Sequence, residues 1–109
     1  MSWFRRKKRA TFDRGAQKYD TKHLEEFHAT RTGVEAFVEP RTTVTETTVI
    51  LIAHDGEWTR RRVDGAAAAF RLGDRLRMPV YEVAKVGYPQ RMRDYNARKR
   101  LARRRRATD

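Results

Sequence analysis

The chain contains no cysteine and a single serine, Ser2. The first absence removes disulfides, thiolate nucleophiles and thiolate metal ligands together. The second leaves a serine nucleophile only in a basic N-terminal stretch, away from any predicted folded element. Long apolar runs are also missing: none is longer than Val49-Ile50-Leu51-Ile52-Ala53, far short of the roughly 18 residues of a membrane span. No apolar segment of about 7–15 residues follows the basic start to form a secretory signal, so a cytoplasmic location is expected. The glycines at 15, 33, 56, 65, 73 and 87 never reach the spacing of a phosphate loop or a dinucleotide fingerprint, and no cofactor is expected. His23 and His28 are five apart and do not share a helix face as a metal pair would, so no metal site is expected.

What is present in excess is positive charge, and its placement is uneven. Of the net +12, residues 1–14 carry +5 (six Lys/Arg, one acid) and residues 85–109 carry +8 (ten Lys/Arg, two acids). The 70 residues between hold ten bases and eleven acids, for −1. Arginine outnumbers lysine 20 to 6, a bias that governs the choice of base but not a neutral middle between two basic ends. The sequence therefore divides into a basic N-terminal arm (1–19), one domain (20–96) and an arginine-rich C-terminal tail (97–109). At 109 residues there is room for one core, burying roughly 60–70% of the surface its unfolded chain exposes.

Within that domain, residues 21–32 set Leu24 and Phe27 three apart with Gly33 after the last turn, which predicts a short amphipathic helix. Residues 34–39 alternate, with Val34, Ala36 and Val38 on one face and Glu35, Phe37 and Glu39 on the other, until Pro40 ends the strand. Residues 43–54 are rich in β-branched side chains and run into Asp55-Gly56, which predicts a two-residue type I′ hairpin with His54 facing Glu57 and Ala53 facing Trp58. Arg60, Arg61 and Arg62 then point to both faces of the returning strand, which places it at a sheet edge. Asp64 is expected to cap a helix over 65–77 whose packed side carries Ala66, Ala69, Phe70, Gly73 and Leu76. Residues 80–86 read as a strand, and a last helix starts near Gln90. The order α-β-β-β-α-β-α implies an α+β fold, with a mixed four-stranded sheet and helices mainly on one face.

The sites expected to matter are the terminal cations. In the arm these are Arg5, Arg6, Lys7, Lys8 and Arg9; in the tail, Arg98, Lys99, Arg100, Arg103, Arg104, Arg105 and Arg106, which surround a helix axis. Such a segment is expected to repel itself and fray until an anion neutralises it. Arginine's planar fork suits phosphate, and a helix about 10–12 Å across fits the roughly 12 Å major groove of DNA, while arginine-rich segments also fold onto structured RNA. Gln90 and Asn96 are candidates for base edges. Trp3 and Phe4 beside the basic arm also suit an anionic membrane surface. His54, Asp55 and Glu57 cluster at the hairpin tip and form the one candidate group for acid–base chemistry or a cation, although turn chemistry and a cross-strand pair suffice to account for them.

The topology α-β-β-β-α-β is similar to the core of the PD-(D/E)xK nucleases, whose acid and acid-x-Lys pattern would fall on Asp55 and Glu57. Residue 59 is threonine where that pattern has lysine. The first five elements also resemble a double-stranded-RNA-binding domain with an alanine-rich second helix, yet this helix opens Asp64-Gly65-Ala66-Ala67 where that family opens with lysines. The stretches Thr32-Gly33-Val34-Glu35-Ala36-Phe37-Val38-Glu39-Pro40, His54-Asp55-Gly56-Glu57-Trp58-Thr59-Arg60-Arg61-Arg62 and Gly87-Tyr88-Pro89-Gln90-Arg91-Met92-Arg93-Asp94-Tyr95-Asn96 resemble a family of short basic bacterial proteins of unassigned function, sometimes generically labelled oxidoreductase. That resemblance covers roughly residues 20–100 and implies a shared fold without identifying an activity.

Three functional expectations follow. The first is a non-catalytic nucleic-acid-binding or ribosome-associated protein gripping DNA or RNA phosphate through its tails. The second is an adaptor for a protein partner whose arm touches a membrane or acidic surface. The third is a small enzyme, a degenerate nuclease or an oxidoreductase, using the His54, Asp55 and Glu57 tip.

Overall fold

A computed structural model describes residues 21–108. Helix α1 covers residues 21–30, and strands β1 (Glu35–Glu39), β2 (Thr48–Ile52) and β3 (Trp58–Arg62) follow as an antiparallel meander. Helix α2 (Gly65–Leu76) carries the chain to β4 (Val80–Glu82), which pairs parallel with β1. The short helix α3 (Val83–Val86) and the long helix α4 (Gln90–Thr108) complete the chain. The four strands form one mixed sheet in the order β3-β2-β1-β4, so the β3-α2-β4 connection spans the full width of the sheet. This is the α+β architecture read from the sequence, with the arginine strand β3 at an edge as its charge requires.

Strand alternation assigns the core to two faces. Val34, Ala36 and Val38 on one side join Val49, Leu51 and Ala53, and are covered by Leu24 and Phe27 of α1 and by Ala69 and Leu72 of α2. On the other side Phe37, Ile50 and Ile52 meet Met92, with Trp58, Val83 and Tyr88 partly buried around them. Two helices thus occupy one face, and the opening turns of α4 dock on the other. Val49, Ile50, Leu51 and Ile52 are fully buried from both directions, each contributing roughly 1.5–3 kcal/mol.

Several local expectations are corrected. The hairpin is a three-residue loop: Ala53 N–H donates to Glu57 O and Gly56 N–H to Ala53 O, and Ile52 rather than Ala53 faces Trp58. Gly56 has φ +93° but Asp55 does not share a positive φ, so the type I′ turn, which needs both, is replaced by a turn closed by one left-handed glycine. Residues 43–47 are not strand. Thr42 Oγ1 accepts the N–H groups of Val44 and Thr45, a local solution that competes with sheet pairing. β4 ends at Glu82 because its sole strand neighbour β1 ends at Glu39, before Pro40, and the chain coils into α3 instead.

Asp64 makes no side-chain cap bond to α2, and the buried side of that helix is Ala69, Leu72 and Gly73, leaving Phe70 exposed. A Cβ at Gly73 would overlap Val80 Cγ2, so the glycine lets α2 lie close to β4. α2 ends with Arg77 at φ 55°, where Met78 N–H closes on Gly73 O at 2.8 Å.

Candidate nucleic-acid interface

The position of α4 is set by the hairpin tip and by one sheet carboxylate, Glu35. Met92 is the one buried residue of the helix. Arg91 donates to Glu35 Oε1 at 2.5 Å and to the carbonyl of Ala53 at 3.1 Å, tying the first turn to β1 and to the end of β2. Trp58 Nε1 donates to Asn96 Oδ1 at 2.8 Å, and Arg98 to the Asp55 carbonyl at 2.8 Å. Gly56 sits beneath the helix, where a Cβ would overlap the Arg91 carbonyl oxygen and approach Tyr95 Cβ to 2.8 Å.

From Arg98 onward every described residue is exposed, and α4 continues unbroken to Thr108 instead of fraying. Physical chemistry accounts for this continuity. Arg, Lys, Leu and Ala are strong helix formers, and cations near a C-terminus oppose the helix dipole favourably. Thr108 Oγ1 also donates to the carbonyls of Arg104 and Arg105. Arg98, Lys99, Arg100, Arg103, Arg104, Arg105 and Arg106 therefore stand on all sides of one solvated helix.

Other predicted residues are placed differently. Arg5, Arg6, Lys7, Lys8, Arg9, Trp3 and Phe4 lie outside the described residues. His54, Asp55 and Glu57 share the tip, where the carboxylates of Asp55 and Glu57 have local partners. Asp55 Oδ1 accepts the backbone N–H of Glu57 at 3.0 Å, and the backbone N–H of His54 donates to Thr32 O. Both Glu57 carboxylate oxygens accept from Arg31, at 2.8 and 3.3 Å, and Arg31 lies 4.5 Å over the Phe27 ring. Among the described residues no three His, Asp or Glu side chains group to hold a metal ion. Gln90 binds Asp94 and Arg93 on its own helix, and Asn96 Oδ1 is committed to Trp58.

Two arrangements were not anticipated. The first is Tyr95, with Arg98 at 5.8 Å and Lys99 at 5.5 Å from its ring centroid, beside a groove of about 300 Å3 lined by Asp55, Tyr95, Arg98, Lys99 and Ala102. The i, i+3, i+4 spacing of an aromatic and two cations was the available signal. The second is Glu39, which accepts from Arg60 at 2.7 and 3.1 Å, from Thr48 at 2.7 Å and from Tyr88. Burial acts to raise the Glu39 pKa, but hydrogen bonds from Arg60, Tyr88 and Thr48 outweigh it and hold the carboxyl below its ordinary range. Arg60 also lies 5.2 Å from the Trp58 ring, so this cluster braces the sheet face under α4.

No helix among the described residues is long and apolar enough to cross a membrane. Comparison with protein-family models, with curated proteins and with solved structures finds no match to this chain.

Proposed function

We propose that the chain is a non-catalytic cytoplasmic protein that binds nucleic acid, free or within the ribosome, through phosphate contacts of α4 assisted by the basic arm. The observation that carries this reading is seven cations on the exposed part of one anchored helix, with no acid between Tyr95 and Thr108. A polyanion neutralises their mutual repulsion and releases its counterions, which is the main driving force of phosphate binding. Arg31's hold on both oxygens of Glu57 weighs against the enzyme reading of the tip.

The test is affinity for a nucleic-acid oligomer as a function of salt. With about six phosphates engaged, the log–log slope is roughly −5, so affinity falls about a thousandfold between 50 and 200 mM salt. Replacing Arg103, Arg104, Arg105 and Arg106 with glutamine brings the slope to about −2. Failure of the intact protein to bind at 50 mM salt, or a slope indifferent to these four substitutions, rejects the reading. Co-purification from cells with and without nuclease separates ribosomal from free nucleic acid.

A further inference from the structure

We infer that the groove between the β2–β3 hairpin tip and α4 holds one unpaired nucleotide, its base stacked on Tyr95 and its phosphate on Arg98 and Lys99. The inference rests on the nucleic-acid reading above and narrows it to single strands, loops or bulges.

Tyr95 occupies the point where α4 leaves the sheet. Its Cβ rests against Gly56, which fixes the root of the side chain, and the residue is only half-buried. Two cations over one ring are each attracted to its face, yet they repel one another. A phosphate that draws both cations off the ring removes that repulsion and uncovers a face on which any base can stack. The groove is shallow and open to solvent, with an acid on the hairpin side and two cations on the helix side, so a ligand lies along it and is not enclosed.

The remaining wall orients the occupant. Asp55 uses Oδ1 for the Glu57 N–H, leaving its second oxygen to accept from an amino-bearing base edge while repelling phosphate toward the cations. Arg98 spends one N–H on the Asp55 carbonyl and keeps others for the ligand. A duplex hides its base faces in the stack and can use the cations alone.

The experiment measures the intact protein against a single-stranded oligomer, an abasic strand of equal phosphate count and a duplex, at fixed salt. Tyr95→Leu should bind the single strand about tenfold more weakly and leave the abasic strand and duplex unchanged, with the salt slope unaltered. Tyr95→Trp should bind the single strand as well as the original. Equal binding of intact and abasic strands by the unmutated protein overturns the inference while leaving phosphate binding in place, and this comparison needs no variant to fold. A Tyr95→Leu loss that is the same for all three ligands also overturns it. Absence of binding to every ligand at low salt rejects the parent reading, and this site with it.

Discussion

The indole N–H of Trp58 donates to Asn96 Oδ1 across 2.8 Å, joining an edge strand to the last half-buried turn of α4 although 38 residues separate them in sequence. Removing the bond should loosen the helix without dissolving the sheet. Asn96→Ala and Trp58→Phe should each lower unfolding free energy in urea by about 1 kcal/mol, and the double variant should cost less than the sum. Faster amide exchange over residues 90–97 would accompany both. Additive effects of the two would show that the contact does not couple them.

Gly56 should tolerate no side chain. Its φ of +93° strains any other residue, and a Cβ there overlaps the Arg91 carbonyl. Gly33 is the control, since its φ is +63° but a Cβ would approach no closer than 3.2 Å, to His54 Cβ. Gly56→Ala is expected to lose about 2–4 kcal/mol and Gly33→Ala about 1 kcal/mol, read from urea midpoints. Equal losses would mean that the approach of α4 is not what demands the glycine.

Stability should depend on pH through Glu39 and Tyr88. Because the folded carboxyl of Glu39 is lowered, its contribution is fully present above about pH 5 and is lost as pH falls through the folded value. Tyr88 is shifted the other way, chiefly by its hydrogen bond to Glu39 and then by burial. Its contribution is present below the ordinary phenol range near pH 10 and is lost as pH rises through the folded value. Urea midpoints across pH should show Glu39→Gln with a shallower acid limb and Tyr88→Phe with a shallower alkaline one. Unchanged limbs would remove the cluster from the stability of the fold.

Period-two alternation in β1 was legible because Val34, Ala36 and Val38 need a different surface from Phe37, and both surfaces exist. The edge position of β3 was legible for the same kind of reason: three consecutive arginines have nowhere else to go. What sequence could not supply was the competition among neighbours. Asp55-Gly56 fits two turn types, and the choice between them shifts the register by one residue. Residues 80–86 favour a strand intrinsically, yet β4 lasts only while β1 lies beside it. At the interface, the seven cations were plain from composition. The commitments of Asn96, Glu57 and Gln90 depend on partners as distant as residues 58 and 31, and no local pattern announces them.

A helix gripped along its opening turns and unsupported beyond them is a cantilever. At about 1.5 Å per residue, residues 99–108 extend roughly 15 Å past Arg98, the last residue bonded to the hairpin tip. Any load applied at Arg106 acts with that moment arm on Gly56 and Trp58, so whatever grasps the far end also tugs on the one indole among the described residues. Trp58 emission is therefore a built-in strain gauge for events at the other end of the rod.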